Sequence, residues 1–216
     1  MNTNKRRNFI KNVLVGTTAT IVAAKSHAKL AITPNEVEGP FYPIVPQDDK
    51  DADLTRVEGK SGVAKGQVIE VFGQVKDQYG KPVSNATLDI WQANSFGKYH
   101  HPHDQSTKQI DENFQAWAII KCNDEGKYRI RTIIPGEYTI MGGRETRTPH
   151  IHFKVGRNGY EPLLTQMYFP NHPMNEQDIL IRKKTKEQTA LMTSTKIPAT
   201  ADKVEQYEFN LVMEKL

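Results

Sequence analysis

The 216-residue chain has a single cysteine, Cys122, and only two tryptophans. One thiol excludes an intrachain disulfide scaffold, and also any zinc or iron–sulfur site built from several cysteines. No apolar run reaches the roughly 20 residues that cross a hydrocarbon core. A mean hydropathy of −0.63 likewise excludes a polytopic membrane protein. What the chain does have is 14 glycines and 12 prolines spread along its length, a composition that favours a loop-rich β protein over a helical bundle. Its 37% of hydrophobic residues suffices for one sizeable core.

Acid is missing from the first 28 residues, which hold Lys5, Arg6, Arg7, Lys11 and Lys25. The mildly apolar run from Asn12 to Ala24 is too short to span a bilayer. Ser26-His27-Ala28 then offers small residues around a cut after Ala28. The string Lys5-Arg6-Arg7-Asn8-Phe9-Ile10-Lys11 resembles the twin-arginine export signal, and the weak hydrophobicity of Gly16, Thr17, Thr18 and Thr20 suits that class. The expectation is a signal over 1–28, a periplasmic destination and one domain over 29–216. That route carries folded proteins, often with a cofactor already in place. Removing five bases and no acids from a chain of net +4 leaves 29–216 near −1. The basic balance therefore belongs to the signal. Neither a nucleic-acid partner nor a stable membrane span is expected.

From Lys29 onward the pattern is β. Val68 to Val75 alternates, Asp77-Gln78-Tyr79-Gly80-Lys81-Pro82 is turn chemistry, and Ala86 to Gln92 resumes a strand. Phe114 to Cys122 and Tyr128 to Ile134 flank Asn123-Asp124-Glu125-Gly126, a hairpin signal. His150 to Val155, Leu163 to Phe169 and Tyr207 to Met213 complete the strands, and only Asn175 to Met192 reads as helix. Short strands with regular turns predict an all-β, antiparallel β-sandwich with long loops and one helix near the C-terminus.

Thr148-Pro149-His150-Ile151-His152-Phe153 is where chemistry enters. Side chains alternate along a strand, so His150 and His152 share a face, roughly 6.5–7 Å apart. Such a pair serves a metal well, yet alone it is equally consistent with a core or surface pair. No Asp or Glu follows until Glu161, which disfavours a ferrous site of two histidines and a carboxylate. Tyr99 and Tyr138 precede the pair instead.

Four motifs in order are Thr33–Pro43 (Thr-Pro-Asn-Glu-Val-Glu-Gly-Pro-Phe-Tyr-Pro), Ile90–Tyr99 (Ile-Trp-Gln-Ala-Asn-Ser-Phe-Gly-Lys-Tyr), Tyr128–Tyr138 (Tyr-Arg-Ile-Arg-Thr-Ile-Ile-Pro-Gly-Glu-Tyr) and Arg147–His152 (Arg-Thr-Pro-His-Ile-His). A fifth, Leu164–Phe169, follows. In these motifs the chain resembles the intradiol ring-cleavage dioxygenases, and among them the iron-bearing (beta) subunit of the protocatechuate 3,4-dioxygenases. The resemblance implies Fe(III) held by Tyr99, Tyr138, His150 and His152. It also implies a catechol-type ring cut by O2 between its hydroxyl-bearing carbons to a cis,cis-muconate-type diacid. Phenolate oxygens suit a hard trivalent ion, and at a pKa near 10 the phenol proton leaves at neutral pH only when a metal takes its place. The resemblance further implies that Tyr138 acts as a base, that Arg147 stabilises negative charge on substrate, and that Gln166 adds a supporting hydrogen bond. All four implied ligands lie in this chain. A second subunit, identical or paralogous, would therefore complete only the pocket.

One departure concerns substrate. Two residues after the second tyrosine the protocatechuate enzymes carry a tryptophan against the substrate, and this chain has Ile140, followed by Met141-Gly142-Gly143-Arg144. Among the remaining candidates, His100, His101 and His103 around Pro102 are expected in a solvated loop. His172 is expected in a turn, Cys122 as a buried small hydrophobe and Trp91 in the core under the Tyr99 loop. Val71–Ala86 is also the pattern of prealbumin-like modules that only bind or brace, which leaves a non-catalytic periplasmic binding module as the alternative. A copper or zinc protein using His150, His152 and the 100–103 loop is the other.

Overall fold

The computed structural model describes residues 28–200 and 204–216. The export-signal expectation over 1–28 falls on residues 1–27, outside the described residues, but for its last position. Among the described residues no helix is long and apolar enough to cross a membrane.

Eleven strands form among the described residues. They are β1 (Val68–Asp77), β2 (Thr87–Trp91), β3 (Trp117–Lys121), β4 (Lys127–Ile133), β5 (Tyr138–Ile140), β6 (Glu145–Arg147), β7 (His150–Gly156), β8 (Leu163–Tyr168), β9 (Thr195–Ile197), β10 (Glu205–Glu208) and β11 (Leu211–Met213). Two sheets make the sandwich: β1 with β4, β9, β10 and β11, and a four-stranded sheet in the order β3-β2-β7-β8. β1 alternates without a break, burying Ile69, Val71 and Val75. These pack with Ile130 of β4 and, from the other sheet, Leu88, Ile90, Ile151, Phe153 and Val155 in one core. β5 and β6 form a separate two-stranded ribbon hydrogen-bonded to neither sheet.

The sandwich is not wholly antiparallel: β10 and β11 both run parallel to β1 along one edge. They replace the continuous strand expected from Tyr207 to Met213. The break lies where Phe209 N–H donates to Phe72 O at 2.8 Å and Tyr128 Oη donates to Phe209 O at 2.6 Å. The neighbouring Gly73 leaves room for that crossing; a Cβ there would collide with the Phe209 carbonyl.

The helix expected over 175–192 is shorter. Only α1 (Lys186–Met192) forms, started by a capping box in which Gln188 N–H donates to Thr185 Oγ1 and Thr185 N–H donates to Gln188 Oε1. Upstream, Asn175–Gln177 and Ile181–Lys183 are single 3-10 turns. Between them Asp178 is extended (φ −66°, ψ 128°), because its carboxylate is drawn into the interior by Arg147. The tertiary contact outweighs helix propensity at this point.

The antiparallel pairing of β2, β7 and β8 sets the functional face. Trp91 pairs with His152 and His152 with Gln166, while His150 pairs with Tyr168. Directly paired residues share a face, so these side chains lie together, opposite the face that sends Ile151, Phe153 and Val155 into the core. Both faces of β7 are buried at its start because loops roof the outer one. The N-terminal arm is one such roof, with Thr33 N–H donating to Val212 O, Glu36 N–H to Leu164 O and Gln166 Nε2 to Val37 O.

Candidate active site

His150 and His152 project from β7 with ring centroids 4.8 Å apart, both almost wholly buried. Tyr138 opens β5 and Tyr99 sits on the loop after β2; both phenols are buried. His150 Nδ1–H donates to Thr148 O at 2.6 Å, which leaves the lone pair on Nε2. That Nε2 lies 3.2 Å from Tyr138 Oη, and His152 Nε2 lies 3.0 Å from Tyr99 Oη. The two phenol rings meet edge to face at 5.0 Å. The four side chains expected to act together are therefore neighbours. Trp91 stacks on the His152 ring at 4.5 Å and 9°, and His152 Nδ1 is buried without a hydrogen-bond partner.

Burial dominates the electrostatics. It raises the Tyr99 hydroxyl well above the usual phenol range. It raises Tyr138 too, and at both phenols the positive charge of Arg147 pulls the other way. Burial pushes both imidazoles well below their ordinary value, assisted by Arg147 at His150 and by His150 and then Arg147 at His152. Without a cation, the four donors are neutral phenols and neutral imidazoles facing one another. Two oxygens that become anionic and two imidazole nitrogens already free of a second proton fit a hard trivalent metal ion.

Arg147 ends β6, directly across the ribbon from Tyr138. Its Nε donates to Asp178 Oδ2 at 2.8 Å and its Nη2 to Gln166 Oε1 at 2.6 Å. Tyr168 Oη donates to the same Gln166 oxygen at 3.0 Å. Gln166, paired with His152 across β7 and β8, thus gives its side-chain oxygen to Arg147 and Tyr168.

Several residues that shape the site were not singled out in the sequence. Phe41 packs its ring 4.8 Å from Tyr99 and 5.7 Å from Tyr138, closing over both phenols. Asp89 accepts from Tyr42 Oη and Trp117 Nε1, both at 2.7 Å, fixing the aromatic wall beside Trp91. A buried Lys98–Asp104 pair (3.2 Å) builds the Tyr99 loop, with Asp104 Oδ2 accepting from Tyr99 N–H at 2.8 Å. Phe41 was signalled by its place in the Thr33–Pro43 motif. Asp178 had no such signal, since it lay in a stretch that reads as helix.

The histidine loop needs a correction. His100 and His103 are exposed as expected, but His101 is buried, its ring 5.8 Å from Phe41 and its Nδ1 accepting from His103 N–H. The turn closed by Asp104 N–H to His101 O tucks it inward. Among the described residues, no group of three or more His, Cys, Asp or Glu side chains stands at metal-binding spacing, so the copper or zinc alternative lacks its ligand set. Cys122 is structural: its thiol donates to Val83 O and accepts from Ala86 N–H.

Comparison with known proteins decides the family. The family model described as Dioxygenase matches residues 37–215. The protocatechuate 3,4-dioxygenase beta chain of Burkholderia cepacia is 38% identical over 141 residues, 64% of this chain and 60% of that protein. The chain belongs to the intradiol dioxygenase family. A chlorocatechol 1,2-dioxygenase of Cupriavidus pinatubonensis is 32% identical over 167 residues, 70% of this chain and 60% of that one. Among solved structures, the dioxygenase domain of a carbohydrate-binding fusion protein from Streptomyces sp. SirexAA-E superposes with a TM-score of 0.64 at 25% identity, covering 86% of this chain and all of that one. The chain thus matches about 60% of the length of these two curated relatives. The intradiol fold, mostly β with one short helix near the C-terminus, is the one described above.

Proposed function

We propose that this intradiol family member is a ferric dioxygenase that cleaves a catechol-type ring between its two hydroxyl-bearing carbons. The observation that carries the reading is the convergence of Tyr99 Oη, Tyr138 Oη, His150 Nε2 and His152 Nε2 at 3.0 and 3.2 Å in a buried cluster. Tyr99, Tyr138, His150 and His152 would hold the iron. When bound, ferric iron would supply a Lewis-acid centre that draws electron density from a catechol ring and readies it for O2.

The chain's own residues do the rest. Tyr138, as the tyrosinate that iron binding would leave, takes a proton from a catechol hydroxyl, and Arg147, whose charge opposes the upward push of burial, favours that anionic form before the transfer. Arg147 holds positive charge beside the oxygen that becomes negative, and Gln166 steadies it through Nη2. Thr148 O fixes the His150 tautomer, and the Trp91 face fixes the plane of His152. Phe41 excludes water from the phenols. With half-buried, apolar Ile140 two residues beyond Tyr138, the proposed substrates are neutral catechols, with no requirement for a ring carboxylate.

The test is reconstitution with ferric iron, followed by oxygen uptake over catechol, protocatechuate, hydroxyquinol and chlorinated or alkylated catechols. The expected protein is burgundy from tyrosinate-to-iron charge transfer and consumes oxygen with at least one neutral catechol. A colourless protein with full iron content would refute it. Export to the periplasm is proposed from the Lys5–Lys11 string, and cell fractionation before and after replacing Arg6 and Arg7 by Lys tests it.

A further inference from the structure

Asp178 stands 31 residues from Arg147 in sequence, and the two make the most deeply buried ion pair among the described residues, their side chains 0% and 4% exposed. Its oxygens divide the work. Oδ2 accepts from Arg147 Nε at 2.8 Å and from Thr148 N–H at 3.0 Å, gripping two consecutive residues just before His150. Oδ1 accepts from Leu180 N–H at 2.9 Å and Ile181 N–H at 3.2 Å, anchoring the carboxylate to the turn that follows it. The guanidinium is consequently held along two edges: Nε on Asp178, and Nη2 on Gln166 Oε1. Nη1 has no hydrogen bond to any described residue. Arg147 also stands opposite Tyr138 on the β5–β6 ribbon, which neither large sheet holds by hydrogen-bonded pairing. The Asp178 carboxylate is thus the clamp that docks the arginine end of this ribbon onto the chain beyond β8.

We propose that Asp178 is a positioning residue for the intradiol site: it orients the Arg147 guanidinium so that Nε and Nη2 stay on protein acceptors and Nη1 is left to meet the substrate anion. The proposal rests on the reading of Arg147 as the group that balances substrate charge. Four N–H donors converge on the carboxylate, and an asparagine offers them one oxygen where the aspartate offers two. An Asp178→Asn side chain of the same shape therefore frees the guanidinium without opening a cavity.

Two readouts test this, and the first needs neither iron nor turnover. In the metal-free protein, hydrogen exchange of the Arg147 Nε–H, assigned by its loss in Arg147→Lys, should be slowed about 100-fold or more relative to free arginine. Asp178→Asn should return at least about tenfold of that protection. In the iron-loaded protein with a catechol that it turns over, Asp178→Asn should lower kcat about 30-fold with KM moving less than about threefold, the size expected for a misplaced catalytic group. In an Arg147→Lys background the same change should alter kcat less than about threefold, because the guanidinium that it orients is gone.

A rapidly exchanging Nε–H in the wild-type protein overturns the proposal. So does an Asp178→Asn effect on kcat that persists undiminished in the Arg147→Lys background, which would make Asp178 a determinant of the fold alone. Should Asp178→Asn not fold, Asp178→Glu keeps the charge and both oxygens but shifts them by one methylene. It should retain iron and lose about tenfold in kcat, and wild-type kcat in that variant also overturns the proposal. Absence of catechol turnover by the wild-type protein with a protected Nε–H refutes the dioxygenase reading, while the clamp itself stands supported.

Discussion

Tyr99 is carried by a loop, not a strand, and Asp104 ties it down. Asp104 Oδ2 accepts from Tyr99 N–H at 2.8 Å, while Oδ1 accepts from Ser106 N–H at 3.0 Å and pairs with Lys98 Nζ at 3.2 Å. The two charged side chains are only 9% and 5% exposed, so removal of one strands the other. Loss of one member of a buried pair costs about 3–5 kcal/mol. Here Lys98 keeps two backbone acceptors, Asp104 O at 2.6 Å and Ser106 O at 2.7 Å, which brings the expected cost of Asp104→Ala just below that range, to about 2–3 kcal/mol. Urea denaturation of the metal-free protein at neutral pH reads this directly, as a lower midpoint at unchanged slope. Adding Lys98→Met removes the stranded ammonium and should restore about 1 kcal/mol or more. Iron affinity should fall about 10–100-fold in Asp104→Ala, because the backbone that presents the Tyr99 phenol has lost its anchor. A variant within about 0.5 kcal/mol of wild type, or a double variant less stable than Asp104→Ala alone, would refute the reasoning.

Tyr138→Phe removes one phenol hydroxyl and its contact with His150, so the metal-free protein should lose only about 1 kcal/mol. The visible band of the iron-loaded variant should change markedly, and an unchanged spectrum would contradict Tyr138 as a ligand. Gly73→Ala forces a Cβ into the Phe209 carbonyl, where backbone has little freedom to yield, and should destabilise by more than about 2 kcal/mol in thermal or urea unfolding. Glu205 is the pH test. Burial pushes its carboxyl up, but hydrogen bonds from Lys196 and Tyr207 outweigh this and hold it below the usual range. A depressed folded-state value gives stability that is present above the unfolded value and lost as pH falls through the folded one. Because Lys196 is half-exposed, Glu205→Gln should cost less than about 1 kcal/mol at pH 7. The gap from wild type should close below about pH 4, and a gap that widens on acidification would contradict the assignment.

The elements that were legible in the sequence are those set by neighbours along the chain. β1 alternates because Ile69, Val71 and Val75 fall on one face. The turn between β3 and β4 follows from Asn123, whose side chain accepts from Glu125 and Lys127 N–H groups, and from Gly126 at φ +73°. Elements set by distant contacts were not legible. The parallel pairing of β10 and β11 and the break at Phe209 depend on Gly73 and Tyr128, each remote in sequence. Residues 175–183 carry helix-forming side chains, yet Asp178 is extended to meet Arg147. His101 lies in a polar, proline-containing string and is nevertheless buried against Phe41.

By itself the sequence determined the face that His150 and His152 share and, through its resemblance to the intradiol dioxygenases, proposed Tyr99 and Tyr138 as their companions. A two-residue period puts His150 and His152 on one side of a strand, and the missing carboxylate after them turns attention to Tyr99 and Tyr138. Tertiary structure alone decided how those groups are held. Trp91 reaches His152 across the pairing of two strands, Asp178 reaches Arg147 from beyond β8, and Phe41 arrives on an arm that hydrogen-bonds to β11 of one sheet and β8 of the other. The physical reason is range: backbone alternation and turn propensity act over a few residues. Burial, charge pairing and aromatic contact join residues that only the folded chain makes neighbours.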